Sequence, residues 1–583
     1  MKDLFEKLEE LHEKDLVSLL ELEFGRFLYA LEESISKNIL LAGMICVQKQ
    51  INGHICCSIN EIMSDSIYGS LFEAGITKKE FLNEIKKTKV VGQLGETIPI
   101  ILDGENLYLQ KLWKYEQELV AYLLNKSKVV HNLDQAIKEE VDQMFSKDSS
   151  NENLQKIAVQ LSLIKDLVII SGGPGTGKTF TIRKIIDALY LKNKKTNFAL
   201  ATPTGKAAQR LNESLNVEET EQSVNPAITI HKLLQSSGTG GKFKYNEKNK
   251  LPYDVVIIDE ASMLDINLWI RLIRALSENT KLILLGDKNQ LASVEAGSIL
   301  NDICSESTNE FSNTIFPNFS SDKVSKNKVT AFNDCILELT KSYRFDEKSG
   351  IGSFAKLINS GKSEEVIDLL KNDSYPEVTF ANPTNEVFES LIQQYVIEHF
   401  LEQKKNGFTI NSFKKYQILC ALRKGPFGVE QINELAEKSL KKILNTSIAE
   451  EWYEGRPIMI TRNSSLLKVR NGEVGICKTN NRTGLFEIEL EQREEVPISV
   501  SRIQNYEPAF ATTIHKSQGS EYDHVAIILS NQPNALLSKQ LFYTAVTRAR
   551  KSVLVIASES VVSSAIQNNV VRRSGLRDKI WAD

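Results

Sequence analysis

The string GGPGTGKT, Gly172 to Thr179, directly follows the apolar run DLVIISG (166–172) and constrains the fold more than any other part of this 583-residue chain. Glycines at this density let the backbone turn its N–H groups inward onto phosphate oxygens, between a buried strand and the start of a helix. Gly172, Gly173, Pro174, Gly175, Thr176 and Gly177 form the cradle. Lys178 reaches the β/γ oxygens of a nucleoside triphosphate such as ATP, and Thr179 is a candidate ligand for Mg2+. A nucleotide-binding α/β unit follows from this string alone.

The rest of the strand pattern agrees. NFALATPT (197–204), YDVVIIDE (253–260) and KLILLGD (281–287) are short apolar runs separated by helical stretches. A second series follows: EVTFANPT (377–384), YQILCAL (416–422), HVAIILS (524–530) and SVLVIAS (552–558). Strands buried on both faces read as continuous apolar runs, so the pattern predicts two parallel α/β lobes. We place lobe 1 at 111–330 and lobe 2 at 331–583, after a mostly helical domain at 1–110 with apolar positions three and four apart. FSKDSSNEN near 145–153 reads as a linker and 305–333 as a polar surface insertion. Asp259 and Glu260 end the run VVIID, where ligands of open α/β sheets sit beyond the strand ends. Asp259 is the metal-side acid and Glu260 the candidate base for an attacking water.

These two elements alone fit kinases, transporters and motors. The discriminating strings are ATPTGKAAQRL (201–211), TIHKLL (229–234), DEASM (259–263), GDKNQLASVEAG (286–297), SYRF (342–345), TIHKSQGSE (513–521) and YTAVTRARK (543–551). Taken in order with the phosphate loop, they resemble the motif series of superfamily 1 helicases. The resemblance implies two RecA-like, P-loop NTPase motor lobes that use ATP and Mg2+. It makes Gln290 a γ-phosphate sensor and Arg344 and Arg548 clamps supplied from the second lobe. It further makes Gln155 an adenine reader and Glu521 a nucleotide-site residue. Arg550, two residues from Arg548, is expected on another side of a helix as a surface or DNA-side charge. Thr204, His231, Thr513, His515, Ser517 and Gln518 form the implied single-strand DNA path, contacting phosphates without reading sequence.

ALRKGPFGVEQIN (421–433), GRPIMITRN (455–463), NGEVGI (471–476) and LYLQKLWKYE (107–116) are similar to the RecD subunits of bacterial exodeoxyribonuclease V. That family implies a small β-rich, SH3-like insertion in lobe 2 at about 455–505 and 5′ to 3′ translocation. It also implies duplex DNA ends as substrate and RecB-like and RecC-like partners in a heterotrimer. The segment 236–254 has the position of a strand-separating pin and the composition of a solvated loop. About 170 residues precede the phosphate loop, fewer than in stand-alone relatives with helix-hairpin-helix modules. No acid–acid–lysine nuclease set follows the motor, so nuclease activity is expected in a partner chain. The rival readings are a stand-alone or relaxase-type motor and a non-catalytic regulatory subunit.

Composition adds mainly exclusions. The net charge of -4 gives no global basic footprint, so DNA contact must rest on a local cleft. No run approaches a membrane span, and MKDLFEKLEELHEK has no signal-peptide core. Seven scattered cysteines fit a reducing cytoplasm, with Cys46, Cys56 and Cys57 as buried structural thiols. Residues 1–110 carry more apolar content than an appendage needs (Leu16–Leu20, Phe24, Phe27, Leu28, Ile39–Val47), which suggests a partner-docking domain.

Overall fold

A computed structural model describes all residues except 93–97, 146–152, 216–223, 237–241, 294, 313–314, 316–328, 346–348, 373, 383, 448, 465, 492–496, 571 and 583. The linker expected near 145–153 falls almost wholly outside the described residues, as does the middle of the polar insertion.

The N-terminal domain is mostly helical, as expected, and adds a small sheet. Helix Lys37–Ile51 packs against a four-stranded sheet of β1 (Cys56–Ser58), β2 (Val91–Gly92), β3 (Ile100–Asp103) and β4 (Asn106–Leu109), with helix Leu19–Leu31 on Lys37–Ile51 and helix Lys2–Glu13 on Leu19–Leu31. Its order is β1-β4-β3-β2. The β3–β4 hairpin turns at Asp103-Gly104, where Gly104 takes φ 61°, a left-handed turn position that favours glycine. Most of the apolar run Ile39–Val47 and also Leu28 lie in this core, whereas Leu16, Leu19, Leu20, Phe27 and Leu31 remain exposed.

Lobe 1 holds β5 (Leu167–Gly172), β6 (Phe198–Thr202), β7 (Ile228–Thr229), β8 (Val255–Ile258), β9 (Lys281–Gly286) and β10 (Ile336–Leu339). All six are parallel, in the order β10-β5-β9-β8-β6-β7. Every residue of β5, β6, β8 and β9 is buried. β10 pairs with β5 from Ile336↔Ile169 to Leu339↔Gly172, so lobe 1 runs to residue 339 and the boundary at 331 is corrected. Adjacency of β5, β9 and β8 puts Gly172, Asp287 and Asp259 side by side at their carboxyl ends.

Lobe 2 holds β11 (Val378–Ala381) and β12 (Tyr416–Cys420), then an insertion of β13 (Pro457–Ile460), β14 (Val474–Thr479), β15 (Phe486–Leu490), β16 (Ile498–Ser499) and β17 (Tyr506–Pro508). It resumes with β18 (Ala511–Thr513), β19 (Tyr522–Ile528) and β20 (Ala549–Ile556). The lobe sheet is parallel, in the order β11-β20-β19-β12-β18, and the insertion is an antiparallel sheet in the order β16-β15-β14-β13-β17. The insertion has a core of its own, centred on Ile458, Cys477 and Ile488.

The chain end leaves lobe 2, a second correction to its assigned extent. Leu576 and Ile580 of helix Leu576–Trp581 join the lobe 1 core, and Trp581 meets Phe332 edge-on at 5.5 Å. Arg573 is bound by the N-terminal domain, its carbonyl accepting from Ile55 N–H (2.8 Å). In the candidate pin, the described residues contain one antiparallel bridge, Ser236↔Phe243, and no strand pair; 237–241 lie outside the described residues. All seven cysteines are buried free thiols, with Cys46 and Cys57 sulfurs 3.4 Å apart. Among the described residues no helix is long and apolar enough to cross a membrane.

Candidate nucleotide and DNA cleft

The phosphate loop is shaped by two left-handed glycines, Gly175 (φ 73°) and Gly177 (φ 83°). A Cβ on Gly175 would lie 2.2 Å from Arg344 Cβ, and one on Gly177 would lie 2.2 Å from Gln155 Nε2. Glycine is therefore required twice over, by conformation and by close approach. Gln155 is buried and donates to the Thr176 carbonyl (3.1 Å), so it braces the loop from behind. Thr176 Oγ1 donates to the Gly173 carbonyl (2.9 Å). Helix Lys178–Lys192 starts at the loop's end, and Lys178 Nζ curls back to the carbonyls of Gly172 (2.6 Å) and Gly173 (3.1 Å). Pro174, Lys178 and Thr179 line a cavity of about 190 Å3.

Asp259 and Glu260 reach the same cavity from the end of β8. Burial and the neighbouring Glu260 push the Asp259 carboxyl up to about 6, against the pull of Lys178. Glu260 has φ 56° and ψ 39°. For a non-glycine residue this left-handed conformation costs roughly 1–2 kcal/mol, a strain typical of positions that must aim a side chain. Asp259 Oδ1 accepts the Glu260 N–H (2.9 Å) and so helps hold that turn.

At the end of β9, buried Asp287 gathers three donors: Gln290 Nε2 (3.1 Å), the Asn289 N–H (3.0 Å) and the Tyr543 hydroxyl (3.0 Å). Burial raises its carboxyl, with Lys178 opposing. Gln290 thus lines the cavity on a lobe 1 acid that also holds a lobe 2 tyrosine. Next to it, the Leu291 N–H donates to Thr544 Oγ1 (2.9 Å), and the Leu291 carbonyl accepts from Gln518 Nε2 (2.9 Å). The segment after Gln290 is therefore gripped by two lobe 2 motifs. Asp287, Tyr543 and Thr544 lay inside the quoted strings GDKNQ and YTAVTRARK but were given no role from sequence, because only their juxtaposition reveals it.

Arg344 and Arg548 also line the cavity; the stretch before Arg344 lies on the phosphate loop, with the Tyr343 N–H donating to the Gly175 carbonyl (2.7 Å), whereas Arg548 belongs to lobe 2. Arg548 is buried in the turn between helix Lys539–Val546 and β20, where Nε donates to the Thr544 carbonyl and Nη1 to the Ser520 carbonyl, both at 3.1 Å. Arg550 lies in β20 and not on a helix, which corrects the helical spacing argument. It is exposed, yet it binds Glu521 through Nε (3.0 Å) and Nη2 (2.8 Å). Glu521 also pairs with Arg344 (2.5 Å) and with Arg210. Burial alone would raise the Glu521 carboxyl, but Arg210 and Arg344 outweigh it and hold it at about 2. Arg210 was read only as part of ATPTGKAAQRL; its place in the cavity wall is new.

The residues expected along DNA divide into two groups. Thr204 caps helix Gly205–Leu215, its Oγ1 accepting the Ala207 N–H (3.3 Å), and His231 is exposed on the short helix Ile230–Leu233. Thr513, half-buried at the end of β18, accepts the Lys516 N–H (3.3 Å), and His515 beside it is exposed. These four are accessible. Ser517 is 0% exposed and donates to the Ile514 carbonyl (2.7 Å), and Gln518 is committed to Leu291. The last two therefore hold loops in place instead of facing DNA, a correction with a simple cause: a polar side chain buried in a turn satisfies itself locally.

Comparison with known proteins matches three segments of the chain to families. Residues 13–108 match the RecBCD enzyme subunit RecD, N-terminal domain; 155–296 match an AAA domain; and 508–556 match a UvrD-like helicase C-terminal domain. The RecBCD enzyme subunit RecD of Buchnera aphidicola subsp. Schizaphis graminum is 33% identical over 95% of this chain and 98% of its own length. The subunit of the same name from Haemophilus influenzae is 31% identical over 93% of each. With the N-terminal domain, both motor lobes and their order all matched, the chain belongs to the RecD family.

Proposed function

We propose that this chain is the ATP-dependent DNA helicase subunit of a RecBCD-type complex, acting with RecB-like and RecC-like partners on duplex DNA ends. The observation that carries the reading is one cavity lined by Lys178, Asp259, Glu260 and Gln290 from lobe 1, by Arg344 from the stretch after β10, and by Glu521 and Arg548 from lobe 2. Lys178 binds the β/γ oxygens, Glu260 orients and deprotonates the attacking water, and Arg344 and Arg548 stabilise charge spread over the transferred phosphoryl group. Gln290 reads the γ-phosphate and passes its state through Asp287 to Tyr543. Thr179 and Asp259 would hold Mg2+, whose chemistry there is to neutralise phosphate charge; an oxygen donor set of this kind suits it. Among the described residues, buried Arg344 Nη1 has no hydrogen-bond acceptor, which fits an anion at this position.

Thr204, His231, Thr513 and His515 are the residues we assign to the single strand, with 5′ to 3′ movement and a cytoplasmic setting as in the family. A non-catalytic subunit is disfavoured because every acid and base that hydrolysis needs is present. In the N-terminal domain, the exposed apolar face of helix Leu19–Leu31 is the proposed contact with the RecC-like partner, while nuclease chemistry resides in a partner chain. DNA-stimulated ATP hydrolysis by Lys178→Gln tests the cavity. Glutamine keeps much of the length but removes the charge, so turnover should vanish with the fold intact. Wild-type turnover in the folded variant would refute the assignment.

A further inference from the structure

Glu521 shares one carboxylate among three guanidinium groups of different origin. Arg344 Nη2 (2.5 Å) and Arg210 both bind Oε1, while Arg550 grips Oε2. Arg344 follows the end of lobe 1, and Arg550 and Glu521 belong to lobe 2. Arg210 alone projects from lobe 1, from helix Gly205–Leu215. The Arg210–Glu521 pair is therefore an ion pair across the cleft, on an acid whose side chain is only 6% exposed.

Arg344 sits differently. It is partly committed to Glu521, yet its buried Nη1 has no acceptor among the described residues. A γ-phosphate oxygen would complete it, but moving Arg344 onto phosphate takes a partner from a buried carboxylate, which is costly unless another cation remains. Arg210 already occupies the same oxygen. Its charge also opposes that of Arg344 and so eases the departure.

We propose that Arg210 is a positioning residue for ATP hydrolysis: it retains Glu521 when Arg344 transfers to the γ-phosphate, and keeps the two lobes tied through that exchange. This rests on the reading that the cavity binds ATP. Without Arg210, Oε1 of Glu521 has Arg344 alone and competes with phosphate for it. ADP has no γ-phosphate to draw Arg344 away, so its binding should not depend on Arg210.

The test measures affinity for a non-hydrolysable ATP analogue and for ADP, with DNA-stimulated turnover, on the full-length chain. The series is Arg210→Gln, Arg210→Lys, Glu521→Gln, the Arg210→Gln/Glu521→Gln double variant and Lys178→Gln. Arg210→Gln should weaken the ATP analogue by about tenfold and ADP by less than about twofold. Removing the competitor in the double variant should recover most of that ATP-specific loss, a departure from additivity expected of coupled residues. Arg210→Lys, which keeps the charge, should stay close to wild type and guards against a folding defect in the glutamine variant. An unchanged ATP affinity in Arg210→Gln, equal losses for ATP and ADP, or a double variant no better than the single one would each overturn the proposal. Lys178→Gln separates the two levels: if it binds and turns over ATP normally, the cavity assignment itself fails, whereas its collapse beside a silent Arg210→Gln refutes only the role of Arg210.

Discussion

The proposed partner contact on helix Leu19–Leu31 can be tested by removing apolar surface that stands exposed in the free domain. Glu21, Leu22, Gly25 and Leu28 form the buried face of this helix, while Leu20 is 62% and Phe27 48% exposed on the other. Leu20, Phe24, Phe27 and Leu31 fall at spacings of four, three and four, which makes one stripe. Full burial of a leucine or phenylalanine is worth roughly 1.5–3 kcal/mol, so the exposed half of each retains about 1 kcal/mol for a partner. Replacing both by glutamine forfeits about 2 kcal/mol and leaves two amides to desolvate at about 1 kcal/mol each. The sum, about 4 kcal/mol, corresponds to roughly a thousandfold weaker complex. The part of each side chain already covered in the free chain is worth about 1 kcal/mol, so the free chain should lose no more than about 2 kcal/mol of stability, well short of the loss in binding. Titration calorimetry or coelution with the RecC-like subunit, beside DNA-stimulated ATPase of the free chain, reads both effects. Binding within twofold of wild type would refute the docking face, and so would loss of ATPase with binding retained.

Three further perturbations probe the cleft and the chain end. Glu260→Gln should keep nucleotide affinity and lose turnover, since it removes the proton acceptor but not the shape; an equal collapse of affinity would make Glu260 a binding residue. Arg548→Ala should lower turnover by about 10^3-fold or more, on the scale of arginine fingers, and should uncouple DNA affinity from nucleotide state; an unchanged response to a non-hydrolysable analogue would make the residue structural. Asp302 accepts from Ser574 Oγ (2.7 Å), and burial pushes its carboxyl up to about 7. A carboxyl raised in the fold favours the native state while protonated, so the contribution of Asp302 to stability is full below about pH 4 and is lost as pH rises toward 7. Asp302→Asn should flatten that decline in melting temperature, and an identical pH slope in both proteins would remove Asp302 as its source.

Long, doubly buried strands were legible because a run such as LVIISG or KLILLG has few other solutions, and all eight predicted strands are present. β7, with two residues, and β18, with three, were not, because pattern needs length. The N-terminal sheet carried a readable signal, the Asp-Gly turn between ILD and NLYL, which the surrounding helical periodicity masked. The position of β10 in lobe 1 depends on its partner β5 and not on its own sequence. In the cleft, Lys178, Asp259, Arg344 and Arg548 were found because motif strings name them. Ser517 and Gln518 were misplaced because a string does not say which of its polar members point inward. Arg210 was overlooked because its partner lies 311 positions later.

The return of the chain end to lobe 1 has a mechanical consequence. Lobe 2 leaves lobe 1 after Leu339 and hands the chain back before Arg573, whose neighbours bind the N-terminal domain and lobe 1: Ser574 to Asp302, Gly575 N–H to Glu116 (2.9 Å) and Lys579 to Asp103 and Glu116. The second lobe is thus an interrupted guest, moored by two lines to a single hull made of lobe 1, the N-terminal domain and the last helix. A body on two moorings swings most easily about the line joining them. Opening of the cleft should resemble a door on a pair of hinges more than a jaw on one pivot.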